Sequence, residues 1–376
     1  MFFLTYNDSY SGIYNSQVID VCRFIKKEYN IEVHLIVFVS LRLYKNEKRK
    51  IKAAFPSAHI LPMFPGIKNW SMNYFALLIL ALIKKPGRII ARGPFAANLA
   101  LRLKRANRVN SVIFDARGAY LPEFTEYNIV QDIKFLKELA MLEKIAIIES
   151  DFKIAVSNSL VNYWQKEYGY NKSNHVIIPC TLDQSGIFEL PSESLIIENR
   201  QRLGFLPDEI IVAFSGSASG WHSFLLMNEF LLNLLKENEK LKVLLLTKAQ
   251  DEFKILNEFK DRVVTKWVDA KEVFKLLSIC DYGLLLREKT ITNNVASPVK
   301  FAEYLAAGLK VLISENIGDF SDFVSDTKSG VLVTDLKQKI ELTKVNYNEK
   351  ESLNKLAKMK FTKYAYKDAY NTVVSK

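Results

Sequence analysis

The sequence predicts an α/β protein made of two doubly wound parallel-sheet domains. Short apolar runs alternate with amphipathic helical stretches along all 376 residues. Most of these runs are apolar on both faces, which is typical of parallel strands covered by helices. The length is about twice that of a common single domain. The alternation pauses once, at residues 179–208, where three prolines occur without a strong apolar period. The interdomain linker is therefore predicted at residues 180–205.

The predicted elements follow this alternation in order. In the first half, the strands are the runs at residues 2–5, 33–39, 88–91, 112–114, 154–156 and 176–178, with helical stretches between them, for example at 16–28, 73–84, 95–105 and 130–149. In the second half, the strands lie at residues 210–214, 243–246, 262–266, 282–286, 311–313 and 331–333. We predict an N-terminal domain over 1–183, a second domain over 184–351, and a C-terminal helix over 352–376 that packs back toward the first domain.

The positions of the cysteines, histidines and apolar runs argue against a disulfide-rich, metal-binding or membrane-spanning protein. The three cysteines and four histidines are scattered, so no disulfide framework and no metal site is expected. The longest apolar run, FALLILALI at residues 75–83, is far shorter than the roughly 20 residues of a spanning helix. We interpret it as a buried helix of the first domain in preference to an interfacial anchor. The N-terminus lacks the basic start of a secretory signal, so a cytoplasmic protein is expected.

The net charge of +11 is confined to one half of the chain. Residues 1–180 hold 25 Lys+Arg and 14 Asp+Glu, while residues 181–376 hold 27 of each. This excess fits a solvated face, a nucleic-acid site, or attraction to an anionic membrane or acceptor. No nucleic-acid-binding motif accompanies it, so nucleic acid is not an expected partner. We favour an anionic acceptor or peripheral contact with the inner face of the cell membrane.

The segment after the fourth strand of the second domain carries the first candidate site. Ser297 and Pro298 fit the N-cap and first residue of a helix that ends at Gly308. Its amino end suits a diphosphate. Lys300 is unfavourable there for the helix itself, and pairing with a phosphate would explain it. Glu303, one turn later, is placed to accept hydrogen bonds from a ribose. An ordinary Lys–Glu surface pair is equally open.

A loop of small residues, SGSASGWH at 215–222, follows the first strand of the same domain. Ser215, Gly216 and Ser217 would let the backbone approach an anion closely and surround it with N–H groups. A plain Gly/Ser turn is the alternative.

Residues 297–314, SPVKFAEYLAAGLKVLIS, resemble the donor-site signature of family 4 glycosyltransferases and their retaining GT-B relatives. AVSNS at 155–159, IPCTLD at 178–183 and the FSG of 214–216 resemble further segments in the family's order. The resemblance covers nearly the whole chain and is strongest after residue 150. It implies a GT-B fold, with two Rossmann-like domains facing across a cleft. It also implies retaining, metal-independent transfer of a hexose from a UDP- or GDP-type nucleotide-sugar to a glycan or lipid-linked acceptor, as in capsule or O-antigen synthesis.

The resemblance also implies residue roles in the second domain. Glu303 would bind the ribose, while Ser297, Pro298 and Lys300 would lie by the diphosphate or sugar. Two positions depart from the family: Val295 stands where a second Glu is frequent, and no Arg or Lys follows the Gly216 loop. Arg287, at the end of its strand, could supply the missing guanidinium, with Lys248 as a weaker candidate.

In the first domain, two loops resemble functional segments of the family. Gly12 lies in SGIY at 11–14, which resembles the loop near the donor phosphate and the acceptor. Asp115 and Arg117 lie in FDARG at 114–118, which resembles a DxRG element of related enzymes. We predict that Asp115 orients the acceptor, although a structural Asp–Arg ion pair fits the spacing too. Glu123 is a third choice.

Three other functions remain open from the sequence. A nucleotide-sugar 2-epimerase would share the architecture, but it relies on a cleft histidine, and no well-placed histidine is evident. A catalytically degenerate nucleotide-binding scaffold would explain the departures at Val295 and after Gly216. A basic nucleic-acid-binding protein is the third alternative.

Overall fold

The computed structural model describes residues 1–183, 188–216 and 223–376. The chain forms two compact units. The first comprises Met1–Ser185, Val295–Ser297 and Tyr366–Lys376, and the second comprises Gly186–Asn294 and Pro298–Ala365.

The first unit is built on a parallel sheet of seven strands in the order β3-β2-β1-β4-β5-β6-β7. The strands are β1 (Phe2–Tyr6), β2 (His34–Ser40), β3 (His59–Met63), β4 (Arg88–Arg92), β5 (Ser111–Ala116), β6 (Phe152–Ala155) and β7 (His175–Ile177). The helices are α1 (Gly12–Tyr14), which continues through a π-helical turn (Asn15–Ile19) into α2 (Asp20–Tyr29), then α3 (Tyr44–Ala54), α4 (Tyr74–Lys84), α5 (Gly93–Arg105), α6 (Tyr120–Glu126), α7 (Ile133–Glu149) and α8 (Asn158–Tyr168).

Alternate residues of these strands feed two separate apolar cores. Phe2 and Leu4 of β1 pack in one core, and Phe3 packs in the other. Because successive side chains of a strand point to opposite faces, both faces of the sheet are buried under helices. This arrangement confirms the predicted parallel sheet covered on two sides.

The second unit contains a parallel sheet of six strands in the order β10-β9-β8-β11-β12-β13. The strands are β8 (Ile210–Ser215), β9 (Leu241–Leu246), β10 (Val263–Lys266), β11 (Tyr282–Leu285), β12 (Lys310–Ser314) and β13 (Gly330–Val333). Its helices are α9 (Glu193–Arg202), α10 (Phe224–Glu237), α11 (Ile255–Glu258), α12 (Ala270–Ser278), α13 (Ile291–Asn294), α14 (Val299–Ala306), α15 (Phe320–Thr327) and α16 (Tyr347–Lys360).

The C-terminal region differs from the single helix predicted over residues 352–376. The structure has two helices there, α16 in the second unit and α17 (Lys367–Ser375) in the first. Tyr370 and Val373 of α17 belong to the same apolar core as Phe24 of α2. The break between the helices lets the last residues of the chain complete a core formed by its beginning.

Strand β3 and helix α9 are among the elements that the sequence patterns did not predict. Strand β3 forms the outer edge of its sheet, and Pro62 within it breaks the apolar run. Proline cannot donate to a sheet ladder, so it is tolerated at an edge. Helix α9 lies inside the predicted linker, where Ser192 caps it by accepting a hydrogen bond from the Leu195 N–H.

Helix α4 corrects the prediction that residues 75–83 form a buried helix. Leu77 and Ala81 are buried, but Phe75, Ile79 and Ile83 are exposed. Within the described ranges, no helix is both long enough and apolar enough to span a membrane.

Both sheets reverse their strand order between the first and fourth strands. In the first unit this point lies between β1 and β4, and in the second it lies between β8 and β11. The loops that leave these strands at their carboxyl ends diverge to opposite faces of the sheet, and ligands of doubly wound proteins bind in the resulting crevice. The topology therefore indicates that candidate ligand-binding residues follow β1, β4, β8 and β11.

Candidate functional site

The carboxyl end of β8 holds a compact polar group formed by Ser215, Lys300 and Glu303. The Lys300 Nζ lies 2.6 Å from a Glu303 carboxylate oxygen and 3.3 Å from the Ser215 Oγ. The Lys300 and Glu303 side chains are 25% and 28% exposed. The predicted spacing thus brings the two charges together, and both remain accessible to solvent at the strand-order reversal.

Tyr304 fixes the helix that carries this group. Its buried hydroxyl accepts a hydrogen bond from the Ser215 N–H at 3.0 Å and donates to the Leu284 carbonyl at 3.4 Å. Burial raises the pKa of Tyr304, so the hydroxyl keeps its proton. A Cβ on Gly283 would lie 2.3 Å from the Tyr304 ring, so only glycine lets α14 pack this closely on β11. The helix is therefore positioned by β8 and β11 together.

The amino end of α14 differs from the sequence prediction. Pro298, not Ser297, is the N-cap residue, with ψ at 121° and no side-chain cap. The Ser297 Oγ instead accepts a hydrogen bond from the Cys180 N–H at 2.8 Å, within the first unit. The prediction that Ser297 caps the helix was wrong because a partner distant in sequence takes its hydroxyl. The Phe301 N–H donates to the Pro298 carbonyl at 3.1 Å. Without a side-chain cap, the N–H groups of Val299 and Lys300 can donate to an anion.

Val295, at the position where the family often has a second glutamate, is buried. It packs in an apolar core of the first unit, and its carbonyl accepts a hydrogen bond from the Ser157 Oγ at 2.8 Å. No carboxylate is available at this position, so a sugar contact from here is absent.

Arg287, Gly216 and Ser217 are also predicted from the sequence to bind the donor. Arg287 follows β11 and is buried; its backbone N–H donates to the Ser314 Oγ, and its Nη1 lies 3.3 Å from the Asn293 Oδ1. The Gly216 N–H donates to the Leu246 carbonyl at 3.3 Å, which continues the strand pairing. Ser217 lies outside the described residues.

In the first unit, the charged cluster consists of Asp8, Arg92, Asp115 and Arg117. Asp8 follows β1 and lies 3.4 Å from the Nε of Arg92, the last residue of β4. Asp115, near the end of β5, lies 3.5 Å from the Arg92 Nη1 and 2.8 Å from the Arg117 Nε. Asp115 is fully buried, and both arginine side chains are nearly so. The cluster therefore spans the strand-order reversal of the first sheet.

The local environment shifts the pKa values of Asp8 and Arg117 for different reasons. Burial is the largest single effect on Arg117 and lowers its pKa, but the charge and hydrogen bond of Asp115, together with Cys180 and Tyr370, raise the pKa above its ordinary value. Burial raises the pKa of Asp8. The charge of Arg92 lowers this pKa, and the charge of Asp115 raises it. Arg117 therefore stays charged, while Asp8 holds its proton more readily than an ordinary aspartate.

Glu123 in α6 is a carboxylate of the same edge whose pKa lies near neutral pH. Burial raises its pKa to about 7, and the charges of Asp8 and Glu143 act in the same direction. Glu143 itself is occupied, because its carboxylate accepts hydrogen bonds from the Tyr120 and Leu121 N–H groups. Glu123 can therefore take up or release a proton close to pH 7.

Gly12 begins α1, directly after the loop that follows β1. A Cβ at Gly12 would meet no atom within 4 Å, and the residue is exposed. The preceding Ser11 caps α1 by accepting a hydrogen bond from the Tyr14 N–H at 3.1 Å. A side chain at position 12 would therefore point into open space.

Two cavities lie away from the predicted site residues. A cavity of about 290 Å³ lies at the amino ends of β1 and β4, beside Met1 and Arg88. Another, of about 250 Å³, lies beside Lys266 of the edge strand β10 and Arg202 of α9. Over the described part of the chain, no cluster of three His, Cys, Asp or Glu side chains could hold a metal ion.

No protein-family model matches the sequence, and a search of curated proteins finds no match. Solved structures do match along the whole chain. HepE from Anabaena in complex with UDP has a TM-score of 0.72 at 16% identity, covering 100% of this chain and 99% of that one. Sucrose-phosphate synthase from Thermosynechococcus elongatus has a TM-score of 0.70 at 13% identity, with both chains covered completely. The chain has the GT-B fold. At these identities the similarity establishes the architecture and leaves the activity to be argued from the site.

A third match extends the range of activities found on this architecture. It is a candidate UDP-N-acetylglucosamine 2-epimerase from Listeria monocytogenes, with a TM-score of 0.55 at 12% identity, covering 99% of this chain and 89% of that one.

Three charged residues at the carboxyl edge of the first sheet stand out in the structure more than in the sequence. Glu123 was ranked third, and Asp8 and Arg92 were not singled out. Asp8 follows the first strand and Arg92 ends a later one, which is the sequence signal that could have found them. That signal becomes specific only once β1 and β4 are known to be neighbours.

Proposed function

We propose that this protein is a glycosyltransferase that moves a sugar from a nucleoside-diphosphate sugar to a saccharide or lipid-linked acceptor. The observation that carries the proposal is the accessible Lys300–Glu303 pair beside Ser215, at the strand-order reversal of the second sheet. Whole-chain similarity to HepE, which was solved with UDP and glucose, supports a UDP-type donor.

The donor site would divide the nucleotide between neighbouring groups. The Lys300 ammonium and the uncapped amino end of α14 would bind the diphosphate, and the Glu303 carboxylate would accept hydrogen bonds from the ribose hydroxyls. The Lys300–Glu303 contact would then be exchanged for contacts to the ligand. Because both side chains are about a quarter exposed, this exchange requires little desolvation.

The chemistry would be transfer with retention at the anomeric carbon. The bond from that carbon to the diphosphate oxygen breaks, and the acceptor hydroxyl oxygen forms the new bond on the same face. The leaving nucleoside diphosphate gains negative charge, which Lys300 and the α14 amino end would stabilise. Arg287 would contribute from the end of β11. A leaving phosphate oxygen can take the acceptor's proton, so this route uses neither a metal ion nor another cofactor.

In the first unit, the burial of the charged cluster assigns different roles to its members. Asp115 is fully buried between Arg92 and Arg117, so it would position these arginines instead of touching the acceptor. Arg117 and Glu123, which are both partly exposed, would orient acceptor hydroxyls, next to the open space at Gly12. The acceptor class we propose is a surface-polysaccharide precursor, since a protein of this architecture, WaaG, is a glycosyltransferase involved in lipopolysaccharide biosynthesis.

A nucleotide-sugar 2-epimerase is the second candidate. It is favoured by Glu123, whose pKa of about 7 suits reversible proton abstraction from a sugar carbon, and by the similarity to the Listeria protein. It would require no acceptor.

The test measures nucleotide binding by calorimetry for the wild type, Lys300→Ala, Glu303→Ala and the control Lys310→Ala. Lys310 pairs with Glu349 at 2.7 Å with similar exposure, but it begins β12 at the opposite edge of the sheet. Loss of a charge-assisted contact to phosphate should weaken UDP or GDP binding about 10-fold to 100-fold in Lys300→Ala. Lys310→Ala should bind as the wild type does.

Failure to bind any nucleoside diphosphate, or equal losses in Lys300→Ala and Lys310→Ala, would overturn the donor site. Incubation with UDP-sugars then separates the two activities. An epimerised sugar formed without acceptor supports the epimerase, and a glycosylated acceptor supports the transferase.

A further inference from the structure

Helix α4 presents a continuous apolar surface to solvent. The residues that form this surface are three, four or one position apart in the sequence, which is the spacing expected on one side of a helix and the turn before it. We define the α4 apolar face as Met72, Phe75, Ile79, Leu82 and Ile83, which are 52%, 68%, 58%, 47% and 67% exposed. The opposite side is used by the fold, because Leu77 and Ala81 pack in the core.

This surface is unlike isolated exposed apolar residues elsewhere on the protein. Contiguous exposed apolar patches on soluble proteins mark surfaces that bind a partner or a membrane. Helix α4 has 11 residues and is therefore about 16 Å long, too short to cross a bilayer of about 30 Å. It can instead lie in the plane of an interface, with its apolar side chains buried among acyl chains.

The charge around α4 identifies the kind of surface. Lys84 and Lys85, both exposed, follow the apolar face directly. Residues 48–114, which include all of α4, contain 13 Lys+Arg and no Asp or Glu. Within that segment, the Arg102 guanidinium lies over the Trp70 and Tyr74 rings, at 5.4 and 5.7 Å. An apolar strip bordered by cations, with no acidic residue in its own segment, is complementary to anionic lipid headgroups above acyl chains.

We propose that the α4 apolar face binds the surface of an anionic lipid bilayer, with the helix axis parallel to the membrane plane. The apolar side chains enter the headgroup boundary, and Lys84 and Lys85 contact lipid phosphates. This inference concerns a surface on an outer helix and does not depend on the proposed sugar transfer. For a lipid-linked acceptor, it would place the enzyme where its substrate is concentrated.

The test is co-sedimentation of the full chain with vesicles of phosphatidylethanolamine and phosphatidylglycerol, compared with vesicles of phosphatidylcholine alone. The variants are Ile79→Glu/Ile83→Glu, Lys84→Glu/Lys85→Glu and the control Met359→Glu. Met359 is 68% exposed on α16 and lies between Lys358 and Lys360, so it matches an exposed apolar residue with basic neighbours.

The wild type should bind the anionic vesicles and bind phosphatidylcholine at least about 10-fold more weakly. Each α4 double variant should lose about 10-fold or more of the anionic binding, and Met359→Glu should lose none. All altered side chains are exposed, so melting temperatures should be unchanged. Should the isoleucine variant nevertheless unfold, the lysine variant decides alone. UDP or GDP binding, measured in the same variants, should remain at the wild-type level whether or not transferase activity is found.

Equal binding to the two kinds of vesicle, or equal loss in the α4 variants and Met359→Glu, would overturn the proposal. So would a wild-type dimer in analytical ultracentrifugation that Ile79→Glu/Ile83→Glu converts to monomer without any change in vesicle binding. That result would assign the face to a second copy of the chain.

Discussion

The carboxyl edges of the two sheets share a topology and differ in how they hold charge. Each sheet reverses its strand order between its first and fourth strands. At the first sheet, Asp115 is fully buried between Arg92 and Arg117. At the second sheet, the Lys300–Glu303 pair keeps about a quarter of its side-chain surface in solvent. The two edges therefore share a topology, but the first is lined by buried charges and the second by accessible ones.

The difference in burial separates structural from ligand-binding roles. Removing one member of a buried ion pair leaves an uncompensated charge in a low-dielectric interior, which costs several kcal/mol. A partly exposed pair contributes little to stability, since water replaces the lost partner. Charges at the second edge can therefore turn to a ligand at small cost, whereas Asp115 cannot leave its arginines.

The largest expected effect is on the free energy of unfolding of Asp115→Ala. The variant leaves Arg117 and Arg92 without their shared carboxylate, and we expect destabilisation of about 3–5 kcal/mol in urea unfolding. Glu303→Ala, the matched change at the second edge, should cost less than about 1 kcal/mol.

The double variant Asp115→Asn/Arg117→Met serves as the control for buried charge. It removes both partners of the 2.8 Å ion pair and should recover much of the stability lost in Asp115→Ala. If Asp115→Ala and Glu303→Ala destabilise equally, the contrast between the edges does not exist.

A smaller effect, dependent on pH, is expected from Glu123→Gln. The folded-state pKa of Glu123 is raised from 4.5 to about 7, mainly by burial, so the folded protein holds this proton more tightly than the unfolded chain. Stability from this group is therefore present below pH 4.5 and is lost as the pH rises to about 7. Glu123→Gln cannot ionise and should gain about 1–3 kcal/mol over the wild type across this range, then keep a constant difference.

Urea unfolding of both proteins between pH 5 and pH 9 measures this difference. Parallel stability profiles would show that Glu123 is not desolvated, and its proposed contact with acceptor hydroxyls would lose its support.

The contrast between the edges also explains what the sequence could predict. The Lys300–Glu303 contact follows from helical spacing, and Asp115 and Arg117 are two residues apart, so both pairs were predictable. The Asp8–Arg92 ion pair joins residues that meet only because β1 and β4 are neighbours. Local patterns do not fix strand order, so this part of the charged cluster could not be derived from the sequence.

Two errors have the same physical origin. Ser297 has the composition of a helix cap, but its hydroxyl is taken by the backbone of Cys180, which is distant in sequence. The run FALLILALI has no polar residue, so its periodicity does not reveal which side of α4 faces solvent. In both cases a tertiary contact decides between alternatives that local propensity leaves equal.

The smallest expected effect tests whether the Tyr304 hydroxyl positions Ser215 and α14 at the second edge or whether Tyr304 only fills the core. Tyr304→Phe removes the hydroxyl that accepts the Ser215 N–H and should cost about 1 kcal/mol in urea unfolding. Tyr282→Phe is the matched control: its buried hydroxyl accepts from the Thr343 N–H and donates to the Thr343 carbonyl, but it lies where β11 begins. We expect equal losses of stability in the two variants, and several-fold weaker nucleotide binding only in Tyr304→Phe, because Ser215 and α14 then lose their common anchor. Equal nucleotide affinities would mean that Tyr304 merely fills the core, and that the accessible pair at the second edge is held in place by Gly283 and backbone packing alone.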